Sequence, residues 1–185
     1  MQWLKNLNRE EIPLHGLKLW TKYFLIFLIC SVIGWIYEEI YFLLSDHTLT
    51  NRGFLYGPYL PIYGAGAVLI TILLKRFKKN ALVFFLLTML VTGILEYAVG
   101  FVLLEVWDKR LWDYTGMFLN LGGFICLRSL VSFAVGGLLL IYFAEPLINN
   151  ITNKFSKLVD TLTLIFIPLI FVIDFIFSLL FRYPV

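Results

Sequence analysis

The chain has 185 residues, of which 61% are hydrophobic and 15% charged, against roughly 45–50% and about 25% in soluble domains; the mean hydropathy is +0.88. A soluble globule of this length has too little core to hide that much apolar surface, so most of it must face lipid. The same composition excludes a disordered chain, and a formal net charge of +3 gives no basic face for nucleic acid.

In chain order, the first twenty residues come first. They contain Lys5, Asn6, Asn8, Arg9, Glu10 and Glu11 and lack an apolar core region, so no cleavable signal peptide is expected. Trp3, Leu4, Leu7, Leu14, Leu17 and Trp20 suggest a segment lying on the membrane surface. A bilayer core of roughly 30 Å needs about 20 apolar residues in a helix. Five stretches qualify: about Thr21–Leu44, Tyr56–Leu74, Ala81–Leu104, Leu121–Phe143 and Thr161–Phe181. The runs are continuous rather than alternating, so strands are not expected. Cys30 and Cys126 both lie inside apolar runs and read as packing residues, not a disulfide framework.

The second stretch has an irregular lead-in, Arg52-Gly-Phe-Leu-Tyr-Gly-Pro-Tyr-Leu-Pro-Ile-Tyr-Gly64. Its prolines and glycines oppose a regular helix. It reads either as a Pro-kinked helix with interfacial tyrosines or as a broken segment lining a cavity, with Arg52 and the hydroxyls of Tyr56, Tyr59 and Tyr63 as ligand contacts. Between the third and fourth stretches, Trp112, Asp113, Tyr114 and Asn120 fit an interfacial belt or the rim of the same cavity. Between the fourth and fifth, Leu147, Ile151, Phe155, Leu158 and Leu162 form an apolar stripe opposite Asn150, Asn153, Lys154 and Lys157. This predicts an amphipathic helix on the inner surface, either as an anchor or as a docking surface for a cytoplasmic partner.

Lys and Arg set the orientation. Lys5, Arg9, Lys18, Lys22, Lys75, Arg76, Lys78, Lys79, Lys154 and Lys157 fall on one side of a five-span arrangement; Arg52, Lys109, Arg110 and Arg182 fall on the other. The expectation is an all-α membrane protein, one integral membrane domain over residues 1–185, with the N-terminus inside and the C-terminus outside.

Ionisable residues inside the spans each cost about 2.5–3.5 kcal/mol on insertion scales and need a reason. They are Glu38, Glu39, Glu96, Arg128 and Asp174. At 1.5 Å per residue, Glu96, Arg128 and Asp174 all lie roughly 20 Å from the inner surface, and Glu38 and Glu39 lie somewhat further out. Helical spacing puts Ser31, Gly34, Trp35, Glu38 and Tyr41 on one face, with Glu39 turned by about 100°, and Thr92, Gly93, Glu96 and Gly100 on another. Two readings remain open. In one, Glu96 and Arg128 pair and lock the bundle. In the other, these residues form a polar cavity open to the outside, where four acids against one Arg favour a cation or a proton.

Other chemistry is missing from the sequence. There is no P-loop, no zinc spacing (His15 and His47 fall on opposite sides of the membrane), and no nucleophile elbow. No catalytic residue, metal or cofactor is assigned.

The runs Gly34-Trp-Ile-Tyr-Glu38, Arg52 to Gly64, Gly93-Ile-Leu-Glu96-Tyr, Trp112-Asp-Tyr114 and Asn120-Leu-Gly-Gly-Phe-Ile-Cys-Leu127 resemble the bacterial family of putative ABC transporter permeases, also called putative ABC-transporter type IV, over about residues 20 to 145. Members often carry Arg after the Asn-x-x-Gly, where this chain has Phe124; its Arg128 comes one turn later. The resemblance implies a multi-pass protein of the bacterial cell membrane that works with a separate cytoplasmic ATPase. Five spans are few for a pore, which suggests a homo-oligomer. The alternatives are a membrane enzyme acting on lipid or cell-envelope precursors, with Glu38 or Glu96 as base and Arg128 holding a phosphate, and a sensor or scaffold without transport.

Overall fold

The computed structural model describes residues 14–47 and 53–182. Of the surface segment expected from Trp3, Leu4, Leu7, Leu14, Leu17 and Trp20, the first three residues lie outside the described residues, as does the expected rim residue Arg52; Leu14 is buried, and Leu17 and Trp20 are helical and exposed. Among the described residues, six α-helices follow in chain order: α1 (Leu17–Asp46), α2 (Pro61–Leu74), α3 (Ala81–Trp107), α4 (Leu127–Leu139), α5 (Glu145–Asn153) and α6 (Lys157–Phe177). A π-helical turn, Leu140–Ala144, joins α4 to α5 without a break, and another, Ser178–Arg182, extends α6. Among the described residues there is no strand, only an isolated bridge between Leu121 and Ile125.

Among the described residues, four helical stretches are long and apolar enough to cross a membrane: Leu17–Ser45, Ala81–Trp107, Leu127–Asn153 and Lys157–Arg182. The expected second span is shorter in its helical part. Residues 53–60 are bends and extended chain, and the helix begins only at Pro61. Proline suits a first helical position because its missing N–H would have had no partner there. The 14 residues of α2 span about 21 Å, short of the roughly 30 Å bilayer core.

The stripe expected to form one amphipathic helix is divided. Its first half is α5, the continuation of the third long helix; its second half opens α6. The chain turns at Lys154 and Phe155, and Ser156 restarts the helix by accepting the Val159 N–H at 3.3 Å. Leu147, Ile151, Leu158 and Leu162 are exposed, whereas Glu145, Asn149, Thr152 and Asp160 are buried. Polar residues inside and apolar residues outside is the reverse of a soluble helix. It is the pattern expected where the surroundings are hydrocarbon.

The chain forms two compact units, Met1–Ala65 with Tyr142–Val185, and Gly66–Ile141. In the first, α1 packs against α5 and α6. Ile26 and Ile148 are buried there, and the Phe27 and Phe171 rings meet edge to face at 5.0 Å. Gly34 lies under the Tyr63 ring, and Gly64 lies against Ser31 and the Phe27 backbone, so a Cβ at either glycine would collide. In the second unit, α3 packs against α4. Its buried face is Phe84, Thr88, Thr92, Gly93, Glu96 and Gly100, which contains the face read from the sequence. A Cβ on Gly93 would stand 2.7 Å from Leu130, and one on Gly137 would stand 2.8 Å from Thr88. Close helix approach through small residues is how helices associate when lipid removes the hydrophobic drive. The buried threonines return their hydroxyls to the preceding turn, Thr88 to Phe84 O and Thr92 to Thr88 O, both at 2.8 Å.

Candidate functional site

In the first unit, the far end of α6 carries Asp174, which holds the irregular segment 53–60. Its Oδ1 accepts the Tyr56 N–H at 3.0 Å and the Ser178 hydroxyl at 3.1 Å. Its Oδ2 accepts the Gly57 N–H at 2.8 Å and the Tyr59 hydroxyl. Two amides and two hydroxyls thus fill the acceptor sites of one carboxylate. Eight residues further along, Arg182 donates to Leu55 O and lies over the Tyr56 ring at 5.5 Å. The Tyr59 ring packs on Phe171 at 4.3 Å. From α1, Glu38 accepts the Tyr63 hydroxyl at 2.5 Å, and the Leu60 N–H reaches Ser31 O at 2.9 Å. The stretch from Leu55 to Tyr63 is therefore held by α1 on one side and α6 on the other. Glu39, expected to turn off the packed face, is buried, whereas Glu38 is half-buried.

The near end of the same unit holds a second polar group. The Lys22 ammonium pairs with Glu145, with side-chain exposures of 6% and 0%. Lys18, one turn earlier, lies 3.6 Å from Asp160. It also donates to the carbonyls of Thr152 (3.0 Å) and Asn153 (3.3 Å) at the end of α5 and of Phe155 (2.8 Å) in the turn that follows. A lysine there satisfies the last carbonyls and complements the helix dipole. In the sequence, Lys18 and Lys22 count only toward orientation, and Glu145 carries no expectation. The signal was present: Glu145, Asn149 and Thr152 recur at i, i+4 and i+7, a polar stripe opposite the apolar one.

In the second unit, Glu96 is 3% exposed. Its Oε1 accepts the Tyr114 hydroxyl at 2.9 Å and its Oε2 the Ser129 hydroxyl at 2.8 Å. Ser129 also completes the start of α4, where Cys126 accepts the Ser129 N–H and donates its own N–H to Ser129 Oγ. The Arg128 guanidinium lies 5.8 Å from the centre of the Tyr114 ring, in reach of a cation–π contact.

The loop between α3 and α4 delivers Tyr114. Trp112 Nε1 donates to Phe124 O at 2.9 Å, and the Tyr114 N–H to Gly123 O at 2.9 Å. Gly123 and Gly122 have φ of 75° and 61°, a left-handed turn suited to glycine. Phe124 packs on Tyr97 at 5.2 Å and sits against Gly100. Asn120 accepts the Gly123 N–H at 3.3 Å and donates to Met117 O. Asp113 accepts from the Thr115 hydroxyl (2.6 Å), the Thr115 N–H (2.8 Å) and Arg110 (3.3 Å). The two Thr115 bonds and the neighbouring guanidinium hold its carboxyl below the usual carboxylate range.

Of the five intramembrane residues read from the sequence, Glu38, Glu39 and Asp174 belong to the first unit, and Glu96 and Arg128 to the second. Three of these acids take a tyrosine hydroxyl: Glu38 from Tyr63, Asp174 from Tyr59 and Glu96 from Tyr114. The tyrosines expected to contact a ligand thus direct two of their hydroxyls to carboxylates of their own chain. Trp112, Asp113 and Asn120 serve the loop that carries Tyr114. Among the described residues, no group of three or more His, Cys, Asp or Glu could hold a metal ion.

A family model described as "Putative ABC-transporter type IV" matches residues 25–179, a stretch that takes in all of these carboxylates. No curated protein and no solved structure matches the chain.

Proposed function

This chain belongs to the putative ABC-transporter type IV family, and on that premise we propose that it is the membrane-embedded permease subunit of a transporter in the bacterial cell membrane. It crosses the bilayer five times, α2 with its irregular lead-in forming the short second span. The N-terminus is inside and the C-terminus outside, as the ten-to-four distribution of cations favours. Glu38, Glu39 and Asp174 in the first unit, and Glu96 and Arg128 in the second, then lie in the outer half of the bilayer and face outward, with Tyr56, Tyr59 and Tyr63 beside the first group and Trp112, Asp113, Tyr114 and Asn120 on the loop beside Glu96. The observation that carries this reading is the set of tyrosine-bound carboxylates on apolar helices. Groups this costly to insert are retained along substrate and proton paths.

The energy must come from another chain, because this one has no P-loop. The ATPase docks on the inner side, on the basic turn Lys75–Lys79 and on the exposed Lys154 and Lys157, and a second copy of the chain completes the assembly. Co-purification from native membranes tests the reading. An associated chain with a nucleotide-binding P-loop is the expected result; recovery of this protein with no ATPase, under conditions that keep other transporters intact, contradicts it.

A further inference from the structure

Segment 53–60 has little secondary structure of its own. It is bounded by Gly53, with φ of 91°, and by Pro61 at the start of α2. A Cβ at Gly57 would strike the Tyr59 ring, so the chain here depends on glycine. Its amides at Tyr56 and Gly57 find their acceptor in Asp174, 117 residues or more away in sequence. Tyr56 is 48% exposed, so the strap lies at the surface of its unit.

We propose that segment 53–60 is a proton-sensitive strap, clasped by ionised Asp174 and released when that carboxylate takes up a proton from outside. The chemistry of the donors argues for it. The Tyr59 and Ser178 hydroxyls can reverse direction to accept from a neutral acid, but the two amides can only donate. Each carboxylate oxygen already faces one of these amides. Protonation therefore removes the charge that strengthens both bonds and leaves an O–H in a site built of donors. The other titratable or charged groups on the elements packed around Asp174 are Tyr56, Tyr59 and Tyr63 on the strap and α2, Arg182 on the extension of α6, and Cys30, Tyr37, Glu38, Glu39 and Tyr41 on the adjoining half of α1. Glu38 binds Tyr63, beyond the strap, so its titration leaves the two amides held. The inference rests on the outward-facing reading of this end of the unit, but its test does not depend on transport.

Hydrogen–deuterium exchange of the full chain in lipid nanodiscs, corrected for intrinsic exchange at each pH, provides the test. At neutral pH the Tyr56 and Gly57 amides should be protected, and protection should fall as pH is lowered. Asp174→Asn, a neutral isostere, should exchange about tenfold faster at neutral pH and lose the pH dependence. Glu38→Gln should keep it. If Asp174→Asn does not fold, Tyr59→Phe decides: it keeps the titrating carboxylate, so exchange should quicken and the pH dependence remain. Protection unchanged in Asp174→Asn, pH dependence surviving there, or no pH dependence in the wild type overturns the proposal. None of these outcomes bears on whether an ATPase co-purifies, so the two readings fail separately.

Discussion

Replacing Tyr114 by Phe isolates one bond of the Glu96 site. The substitution removes only the hydroxyl, so the ring stays beside Arg128 and the loop keeps its other anchors, Trp112 on Phe124 O and the Tyr114 N–H on Gly123 O. What is lost is a 2.9 Å hydrogen bond to a carboxylate that is 3% exposed. Bonds to charged groups contribute about 1.5–3 kcal/mol. Glu96 keeps the Ser129 hydroxyl at 2.8 Å, so the expected loss sits at the lower end, about 1.5–2 kcal/mol. Equilibrium unfolding of the purified protein in mixed micelles measures it. Tyr97→Phe is the control: its ring packs on Phe124 and Phe101, its hydroxyl makes no hydrogen bond among the described residues, and it should cost under about 0.5 kcal/mol. In a double-mutant cycle with Glu96→Gln, the coupling should be about 1 kcal/mol or more. A Tyr114→Phe protein as stable as the wild type, or a coupling near zero, would refute the reasoning that the loop is anchored through Glu96.

The Lys22–Glu145 pair should be costly to break. Lys22→Met leaves a buried carboxylate without its cation and should destabilise by about 3–5 kcal/mol, whereas Lys22→Met with Glu145→Leu should recover most of that in the same unfolding assay. Asp113 should make the α3–α4 loop acid-sensitive. Its carboxyl sits below the ordinary range when folded, so its contribution is complete above the unfolded value and fades as pH falls through the folded one. Exchange of the loop amides should quicken over that acidic window, and Asp113→Asn should remove the dependence.

Much of the architecture could be read from residue order, because its causes are local. Long apolar runs marked the four long helices, and helical spacing of Thr92, Gly93, Glu96 and Gly100 identified the buried face of α3. The prolines and glycines between Arg52 and Gly64 opposed a regular helix but left a kinked helix and a broken segment both open; the structure starts α2 only at Pro61. The boundary between the last two long helices was misplaced because the apolar stripe from Leu147 to Leu162 is continuous in sequence, whereas the break depends on a capping serine, Ser156. Partners were the least legible. Periodicity places Asp174 on a face but cannot say that its acceptors are filled by residues 56, 57 and 59. Likewise, Lys18 and Lys22 look like ordinary inner-surface cations until α5 and α6 bring Glu145 and Asp160 to them.

The proposed permease role requires an ATPase to meet the inner side of this chain. A photo-crosslinking residue placed at Lys78 and, separately, at Lys154 in native membranes tests that contact directly. Adducts to a P-loop ATPase are expected from both positions, with cysteines at the same positions shielded from membrane-impermeant maleimide added outside. Adducts to lipid or to other copies of this chain alone, or labelling of Lys78→Cys from the outside, would contradict it.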